Sequence, residues 1–223
     1  MKREFLTTGD GSSTLYLPEW NEHYHSKHGA INEARHVFIQ AGLRYFLETS
    51  KKKEVSVLEI GFGTGLNSLL TQQYAEENQI KIHYTGVEAY PLEASEISQL
   101  NYPEMLHISS LDFLKLHETP WENPFEITEY FILKKRKQFF SEIEDKAVFD
   151  IIYFDAFGAR VQPELWTEPI FEKMYEALRE DGVLVTYASK SSARRAMQHV
   201  GFTVEKLAGP PGKREMLRAL KSE

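Results

Sequence analysis

The sequence predicts a single α/β domain built on a mostly parallel, doubly wound sheet. Three observations lead to this fold class. Apolar strand-like runs alternate with helix-like segments, the first central strand breaks into a glycine-rich turn before a helix, and the last two strand-like runs are separated only by a turn. No repeat, linker or low-complexity tract divides the 223 residues, so we expect one domain over 1–223.

The first elements follow from the spacing of apolar and turn residues. Residues 7–30 are rich in Thr, Gly, Ser, His and Tyr, which favours an irregular lead-in with a short hairpin. Apolar side chains at helical spacing predict a helix over 31–48. A strand over 55–60, a helix over 66–77 and a second strand over 81–87 come next.

The second half continues this alternation and closes with two strands. Helical segments are predicted over 91–100, 107–117, 138–145, 163–180 and 190–200. Extended segments are predicted over 125–134, 149–154, 183–187, 202–207 and 214–220. The helix over 163–180 begins at a proline and ends at Asp181-Gly182, and the Gly-Pro-Pro-Gly turn 209–212 makes the closing strands antiparallel. The basic run 134–137 is expected to be a solvated face.

Composition excludes several classes of protein. No apolar stretch approaches the ~20 residues that span a membrane, and the N-terminal segment lacks the apolar region of a signal peptide. Cysteine is absent, which excludes disulfides and thiol nucleophiles and fits a cytoplasmic location. The sequence has neither a Gly-x-Ser-x-Gly elbow nor a Gly-Lys-Ser/Thr phosphate loop, which argues against hydrolases and nucleoside triphosphatases.

The most specific motif joins the first central strand to the next helix. Gly61, Gly63 and Gly65 form a Gly-x-Gly-x-Gly pattern, which allows close approach of the backbone to a ligand but differs from the Gly-x-Gly-x-x-Gly that cradles a pyrophosphate. Glu59 just before this loop would repel phosphates and favour a cationic ligand. S-adenosylmethionine, a sulfonium without a phosphate, fits that description; the alternative is a turn without a ligand.

Two further acids follow predicted strands, where ligands bind in doubly wound sheets. Glu88 would accept hydrogen bonds from both hydroxyls of a ribose. The alternative interpretation is that Glu88 is a surface residue at the end of a strand. Asp155 follows the buried strand 149–154 and would orient an incoming amine and take its proton. An alkylammonium, with an unperturbed pKa of about 10, needs this help because it has no lone pair. The alternative role of Asp155 is to cap the following helix.

The charge of the chain is unevenly distributed. The net charge is −7, but residues 186–223 hold eight Lys/Arg and three acids, a balance of +5, so the remainder carries −12. A localised basic patch can bind a phosphate backbone, although a solvated surface is equally compatible with the composition.

Two other features have both a structural and a functional interpretation. His23, His25 and His28 are spaced like metal ligands, but neither a cysteine nor a well-placed carboxylate accompanies them, so we predict no metal site. Trp166 is either a core anchor or a surface on which a base stacks, and the first is commoner.

Four groups of segments together resemble one family over nearly the whole chain. They are 24–26 with 29–30 and 33–38; 58–67; 155–157 with 162–166; and 209–216. The sequence resembles the methyltransferases that complete 5-methylaminomethyl-2-thiouridine at the wobble position of tRNA. The Pro-Glu-Leu-Trp of 163–166 and the Lys-Arg-Glu-Met of 213–216 are the specific motifs.

This resemblance implies a class I S-adenosylmethionine-dependent methyltransferase fold, Rossmann-like, with a seven-stranded, mostly parallel sheet and an antiparallel last strand. It implies S-adenosylmethionine as donor and the 5-aminomethyl group of a wobble uridine as acceptor, with tRNA held by its anticodon arm. Residues 1–50 would form an N-terminal extension and helix over the cofactor site. Some members are fused to a flavin-dependent oxidoreductase, but this chain resembles the stand-alone form, so neither flavin nor metal is expected.

The resemblance also implies roles for individual residues. The cofactor would be held by Glu59, Gly61, Gly63, Gly65, Asn67 and Glu88, with Tyr24 and Glu33 closing over it. Asp155 would serve the amine. The substrate would be bound by Phe157, Trp166, Lys190, Arg194, Arg195, Lys213 and Arg214, the basic residues acting through tRNA phosphates.

Two departures from the family pattern leave parts of the site open. An acid expected near the adenine is replaced by the run 135–138, so adenine recognition is unassigned. Gly158-Ala159-Arg160 replaces the usual Ala/Ser-Pro, which leaves the shape of the acceptor loop undetermined. The alternative functions are a small-amine methyl- or aminopropyltransferase of the polyamine type and a non-catalytic cofactor- or RNA-binding module.

Overall fold

Strands alternate with helices through residues 2–222, the part of the chain that the computed structural model describes. The strands are β1 (Glu4–Thr7), β2 (Ser13–Leu17), β3 (Glu22–His23), β4 (Glu54–Ile60), β5 (Lys81–Val87), β6 (Phe125–Thr128), β7 (Phe131–Arg136), β8 (Phe149–Phe154), β9 (Leu178–Thr186), β10 (Thr203–Ala208) and β11 (Glu215–Leu220). The helices are α1 (Ala30–Ala34), α2 (Tyr45–Ser50), α3 (Leu66–Asn78), α4 (Ala94–Ile97), α5 (Tyr102–Leu106), α6 (Ser110–Glu118), α7 (Glu168–Ala177) and α8 (Ser191–His199). A π-helical segment, Arg35–Arg44, joins α1 to α2, and 3₁₀ turns cover Phe140–Glu142 and Pro163–Trp166.

Eight strands form one central sheet in the order β10-β11-β9-β8-β4-β5-β7-β6. Neighbouring strands are parallel from β9 through β8, β4 and β5 to β7, whereas β11 and β6 run antiparallel to their neighbours. The predicted α/β fold class with an antiparallel closing pair is confirmed. The sheet has eight strands rather than seven because 125–134, predicted as one extended segment, belongs to the hairpin β6–β7.

The strand order reverses between β4 and β8. From β4 the chain adds β5 and β7 on one side, and it then returns to place β8 on the other side. Ile60 pairs with Phe154, so the two strands end level with each other. The loops that follow β4 and β8 therefore border a common crevice, which is where ligands bind in doubly wound sheets.

Apolar side chains pack on both faces of the sheet. One face, against the π-helical segment and α3, buries Val57 and Tyr153, while the other, against α7 and α8, buries Leu58 and Phe154. The predicted helix over 31–48 forms in spite of its internal glycine. A β-carbon at Gly42 would lie 2.8 Å from a methyl group of Val185, so this glycine allows the helix to approach the sheet closely.

The predicted helix over 163–180 is wrong at both ends. Pro163 begins a 3₁₀ turn, α7 starts only at Glu168, and the chain enters β9 at Leu178. Asp181, with a φ of 62°, and Gly182 lie in an irregularity of β9 rather than at a helix end. A left-handed residue followed by glycine ends many helices. Here the same pair lies in a bulge of β9, where extra residues are left out of the pairing with β8.

Three smaller predictions also need correction. The helix expected over 91–100 is reduced to α4, because Glu93 and Glu96 form a capping box that starts it late. The helix expected over 138–145 is one 3₁₀ turn. The basic run 134–137 is not a solvated face throughout, since Lys135 is only 1% exposed.

The N-terminal segment forms a small antiparallel sheet of β1, β2 and β3, where the sequence predicted a short hairpin. Asn101 fastens this sheet to the domain: its side chain accepts a hydrogen bond from the Ser13 amide at 2.7 Å and donates one to the Gly11 carbonyl at 2.9 Å. None of the helices within 2–222 is both long and apolar enough to cross a membrane.

Candidate active site

The glycine loop lies between the end of β4 and the start of α3. Gly61, Gly63 and Gly65 all have positive φ angles, of 91°, 49° and 73°. A β-carbon at Gly61 would lie 2.9 Å from the carbonyl oxygen of Asp155, too close for any side chain. The glycine pattern therefore brings the loop after β4 against the loop after β8.

A cavity of about 360 Å³ opens beside this loop at the carboxyl ends of the strands. That volume lies within the usual range for small-molecule sites. The predicted site residues in its lining are Tyr24, Glu59, Gly61, Gly63, Asn67, Glu88, Asp155 and Phe157. Gly65, Glu33 and Trp166 were also predicted to form the site, but they lie behind the lining.

Glu88 is held at one end of the cavity by backbone amides. The Gly63 amide donates to its Oε2 at 3.0 Å, and the Tyr90 amide donates to its Oε1 at 2.9 Å. Each carboxylate oxygen can accept a further hydrogen bond, so the side chain is oriented and still able to bind two hydroxyl groups.

Aromatic side chains surround the cavity next to Glu88. Tyr90 and Phe139 are 59% and 52% exposed, and their rings meet edge to face at 6.1 Å. Phe140 and Ser141 complete this part of the lining. The sequence left adenine recognition unassigned, but the aromatic pair 139–140 lies one residue after the basic run 134–137.

Asn67 bridges the buried carboxyl group of Glu59 and the half-buried carboxyl group of Asp155. Its amide nitrogen donates to Glu59 Oε1 at 2.9 Å and to Asp155 Oδ2 at 2.8 Å. The side-chain oxygen Oδ1 of Asn67 and Glu59 Oε2 are buried and find no hydrogen-bond partner within residues 2–222. Asn67 comes from the first turn of α3, so the helix that follows the glycine loop fixes both acids.

Burial changes the acidity of both carboxyl groups. It raises the pKa of Glu59 well above its usual value, and the neighbouring charge of Asp155 adds to that rise. Burial likewise raises the pKa of Asp155, followed by the charge of Glu33, while the Asn67 hydrogen bond and the charge of Lys213 oppose the change. A cation bound between the two acids would favour their ionised forms.

The part of the cavity around Asp155 is enclosed by aromatic rings. Phe157 meets Tyr24 edge to face at 5.0 Å and Trp20 at 5.6 Å. Tyr187 donates from its hydroxyl to the Ala156 carbonyl at 2.8 Å and lines the same region. These rings come from three distant segments and leave Asp155 facing a pocket with largely apolar walls.

Glu33 and Lys213 form an ion pair close to this pocket. Lys213 donates to Glu33 Oε2, and its ammonium lies 3.9 Å from the centre of the Tyr187 ring. The other Glu33 oxygen accepts from the Ser26 amide at 2.9 Å. Glu33 is thus tied to the protein by both oxygens instead of facing the cavity, and Lys213 points inward instead of toward a phosphate.

Trp166 is 5% exposed and packs edge to face on Phe154 at 5.1 Å. Its indole nitrogen donates to the Phe157 carbonyl at 2.8 Å. It therefore has the position of a core residue that supports the acceptor loop, and the stacking interpretation is not favoured.

The other predicted basic residues lie on or near the surface. Lys190, Arg195 and Arg214 are exposed and Arg194 is partly buried. In the described chain, none of these four has a carboxylate within 4.0 Å.

The three histidines of the N-terminal segment lie in separate environments. His23 stacks on Tyr16, and His28 packs against Gly212. His25 is half-buried in the lining of the cavity, with the Thr14 hydroxyl 3.2 Å from its Nδ1. Burial lowers the pKa of His25 to about 4, so this ring is neutral. Over residues 2–222, no three His, Cys, Asp or Glu side chains are grouped to hold a metal ion.

Several lining residues were missed by sequence reasoning. Arg3, Trp20 and Tyr187 contribute to the cavity, and Arg3 is paired with Glu96 at 2.8 Å. Tyr187 follows β9 directly, so its position after a central strand was a usable signal. No local pattern indicates Trp20, because it reaches the cavity only through the packing of the N-terminal sheet.

The sequence of this chain is similar to one family model and to several named proteins. Residues 125–222 match the model of a family described as S-adenosyl-L-methionine-dependent methyltransferase. The tRNA 5-methylaminomethyl-2-thiouridine biosynthesis bifunctional protein MnmC of Leptospira borgpetersenii is 30% identical over 207 residues, covering 87% of this chain and 31% of the relative. The corresponding protein of Polaromonas naphthalenivorans is 27% identical over 227 residues, covering 96% and 35%. The chain thus spans about a third of the length of these curated relatives.

Solved structures agree with these matches. The crystal structure of MnmC2 from Aquifex aeolicus superposes with a TM-score of 0.79 at 26% identity, covering 100% of this chain and 72% of the other. The chain resembles MnmC proteins and has the fold of S-adenosylmethionine-dependent methyltransferases. Spermidine synthase from Thermotoga maritima, with a TM-score of 0.54 at 16% identity, covering 98% of this chain and 72% of the other, shares the fold alone.

The cofactor predicted from the glycine loop, S-adenosylmethionine, is confirmed by the family match. The cavity fits this molecule. The two orphaned oxygens of Glu59 and Asn67 suit an ammonium group, and Glu88 suits a ribose. Tyr90 and Phe139 offer aromatic surface to an adenine. The lining therefore offers polar or aromatic groups suited to the amino acid, the ribose and the adenine of this cofactor.

Proposed function

We propose that this methyltransferase acts on the primary amine of 5-aminomethyl-(2-thio)uridine at the wobble position of tRNA. The observation that carries the proposal is Asp155, a carboxyl group at the end of β8 that faces a pocket bounded by aromatic rings and adjoins the glycine loop. The MnmC relatives, whose names refer to this modified nucleoside, support the same substrate.

Asp155 would act on the amine rather than on the cofactor. Bound S-adenosylmethionine supplies a methyl group on a positively charged sulfur. The amine nitrogen would form a bond to that methyl carbon as the carbon–sulfur bond breaks, and the electron pair of that bond would stay on sulfur. Asp155 accepts the proton that the nitrogen must lose and releases it to water afterwards. Its raised pKa suits this task, because the best proton acceptors have a pKa near the working pH.

The aromatic rings around Asp155 have two effects on the reaction. Tyr24, Phe157 and Tyr187 would lower the local dielectric constant around the carboxyl group, which strengthens its attraction for a cationic amine. They also restrict the position of the amine, and holding two reacting groups in line accounts for a large part of many enzymatic accelerations.

We further propose that tRNA binds through the basic surface of the C-terminal segment. Lys190, Arg194, Arg195 and Arg214 would contact phosphates of the anticodon arm, while the wobble base turns out into the cavity. Lys213 is excluded from this set because its ammonium is bound to Glu33. A cytoplasmic location fits a tRNA substrate. We also propose that residues 1–223 form one domain in which the segment 1–50 covers the site.

The test is methylation of a defined tRNA followed by nucleoside analysis. Purified protein, S-adenosylmethionine and tRNA carrying 5-aminomethyl-2-thiouridine should yield the methylaminomethyl nucleoside, at a rate that falls steeply as salt is raised. Putrescine as the acceptor in the same assay tests the polyamine alternative. Product from putrescine but none from tRNA would overturn the proposal.

A further inference from the structure

Arg160 fastens the acceptor loop to the N-terminal sheet. Its Nη2 lies 3.1 Å from the Trp20 carbonyl oxygen, 2.7 Å from the Asn21 carbonyl oxygen and 2.9 Å from Glu22 Oε2. One guanidinium nitrogen thus contacts three successive residues, two in the turn between β2 and β3 and the first of β3. These contacts join parts of the chain that are 138 to 140 residues apart.

Both segments joined by Arg160 contribute rings to the pocket of Asp155. Trp20 comes from the turn and Phe157 from the loop, and their rings meet edge to face at 5.6 Å. Phe157 is also fixed from behind, since its carbonyl oxygen accepts from Trp166 Nε1 at 2.8 Å. Trp20 lies in a turn in which its amide donates to the Leu17 carbonyl at 3.1 Å and Asn21 has a left-handed φ of 47°.

The acceptor loop after β8 contains Gly158-Ala159-Arg160 in place of a segment with proline. Proline would fix the loop conformation by itself, whereas Gly158-Ala159 leaves the backbone freer. Side-chain hydrogen bonds to the neighbouring turn can supply the missing restraint. Arg160 itself does not line the cavity, so its effect on a bound molecule must pass through Trp20 and Phe157.

We propose that Arg160 is a positioning residue that holds Trp20 against Phe157, and that Trp20 is a substrate-binding residue for the planar ring of the acceptor. A flat, π-bearing acceptor such as a pyrimidine base gains contact from an aromatic side chain held at one angle. This inference rests on the proposed tRNA substrate for the identity of the ring. The Arg160–Trp20 contact itself does not depend on that identity.

The kinetic test compares a small acceptor with a large one. Arg160→Ala and Trp20→Ala should each lower kcat/KM for the free nucleoside 5-aminomethyluridine by about three- to tenfold. The same factors should apply to tRNA, and cofactor affinity should stay within about twofold. Because Arg160 acts through Trp20, the double variant should be no slower than Trp20→Ala alone. Arg44→Ala, which removes an exposed ion pair with Glu48 on another part of the surface, is the matched control.

Two kinetic outcomes would overturn the inference. A loss restricted to tRNA would mean that Arg160 contacts a phosphate. Effects that multiply in the double variant would mean that Arg160 and Trp20 act independently.

A fluorescence measurement tests the contact without any substrate. In a Trp121→Phe background the remaining tryptophans are Trp20 and the buried Trp166, so acrylamide quenching reports mainly on Trp20. Arg160→Ala should increase this quenching, and unchanged quenching would overturn the positioning role. If the unaltered protein methylates neither acceptor, the proposed function fails, while the quenching result still decides the role of Arg160.

Discussion

The two halves of the cavity are assembled in different ways. The donor half, which consists of Glu59, the loop 61–67 and Glu88, comes from β4, the start of α3 and the end of the adjacent strand β5. The acceptor half consists of Trp20, Tyr24, Asp155, Phe157 and Tyr187, which come from the N-terminal sheet and the ends of β8 and β9. Apart from the aromatic segment 139–141, the donor half is therefore nearly local in sequence, whereas the acceptor half forms only when distant segments pack together.

Asn67 and Gly61 are the points at which the halves meet. Asn67 belongs to the donor half but donates a hydrogen bond to Asp155, and Gly61 allows the two loops to touch. Variants in the acceptor half should therefore change the rate of methyl transfer without changing cofactor affinity. Variants in the donor half should change cofactor affinity without changing the rate at saturating cofactor.

The largest effect on methyl transfer is expected from Asp155→Asn. The amide cannot take a proton, so kcat should fall by about 10²- to 10⁴-fold. The cofactor dissociation constant, measured by calorimetry, should stay within about threefold. Glu164→Gln, which alters another acid of the cavity lining, is the control and should keep most of the activity. An Asp155→Asn protein with normal kcat would remove this residue from the mechanism.

The second largest effect is expected from Glu88→Ala, on the donor side. Losing charged hydrogen-bond acceptors for the ribose should weaken cofactor binding by roughly ten- to a hundredfold. At saturating cofactor, kcat should stay near that of the unaltered protein, because Glu88 does not reach the amine. A fall in kcat with unchanged cofactor affinity would contradict the division between the halves.

The parts of the molecule that sequence alone could predict are those that depend on local pattern. The strands Lys81–Val87 and Phe149–Phe154 form with the predicted bounds because each is a continuous, mostly apolar run. Glu59, Glu88 and Asp155 could be predicted as site residues for the same reason, since each lies at or next to the end of such a run. The glycine spacing indicated the donor half without knowledge of any long-range contact.

What could not be predicted depends on the direction of a side chain or on distant packing. Lys213 was assigned to tRNA because composition gives a charge but not its orientation, and the side chain turns inward to Glu33. Asp181-Gly182 resembles a helix end because the same backbone conformation also serves a strand irregularity. Trp20 and Arg160 carry no local signal, since their positions depend on contacts between segments 138 to 140 residues apart.

A shift of the pH profile is the third effect, and it tests the acceptor half electrostatically. The charge of Lys213 lowers the pKa of Asp155 and that of Glu33 raises it. Only ionised Asp155 takes the proton, so the acidic limb of kcat/KM follows its pKa. Lys213→Met should move that limb to higher pH and Glu33→Gln should move it to lower pH. Two shifts in the same direction, or none, would contradict this arrangement.

The smallest effect on catalysis is expected from Lys135→Met, behind the donor half. Lys135 donates to the His117 carbonyl, and its ammonium lies 4.9 Å from the centre of the Trp121 ring. A β-carbon at Gly65 would lie 3.0 Å from His117, so this lysine supports the back of the glycine loop. Since it touches neither the cavity nor Asp155, kcat and cofactor affinity should each change by less than about twofold.

The free energy of unfolding, by contrast, should depend on pH through the titration of Lys135. Burial lowers the pKa of Lys135 to about 8, whereas in the unfolded chain it is about 10.4. Between these values the unfolded state binds more protons, so the free energy of unfolding gains a contribution as pH rises from 8 to 10, at most roughly 3 kcal/mol. Lys135→Met lacks that contribution, and other titrating groups cancel when the two proteins are compared by chemical denaturation at both pH values. Equal pH dependence in the two proteins would mean that Lys135 is solvated, and the donor half would then rest on the glycine loop and α3 without this support.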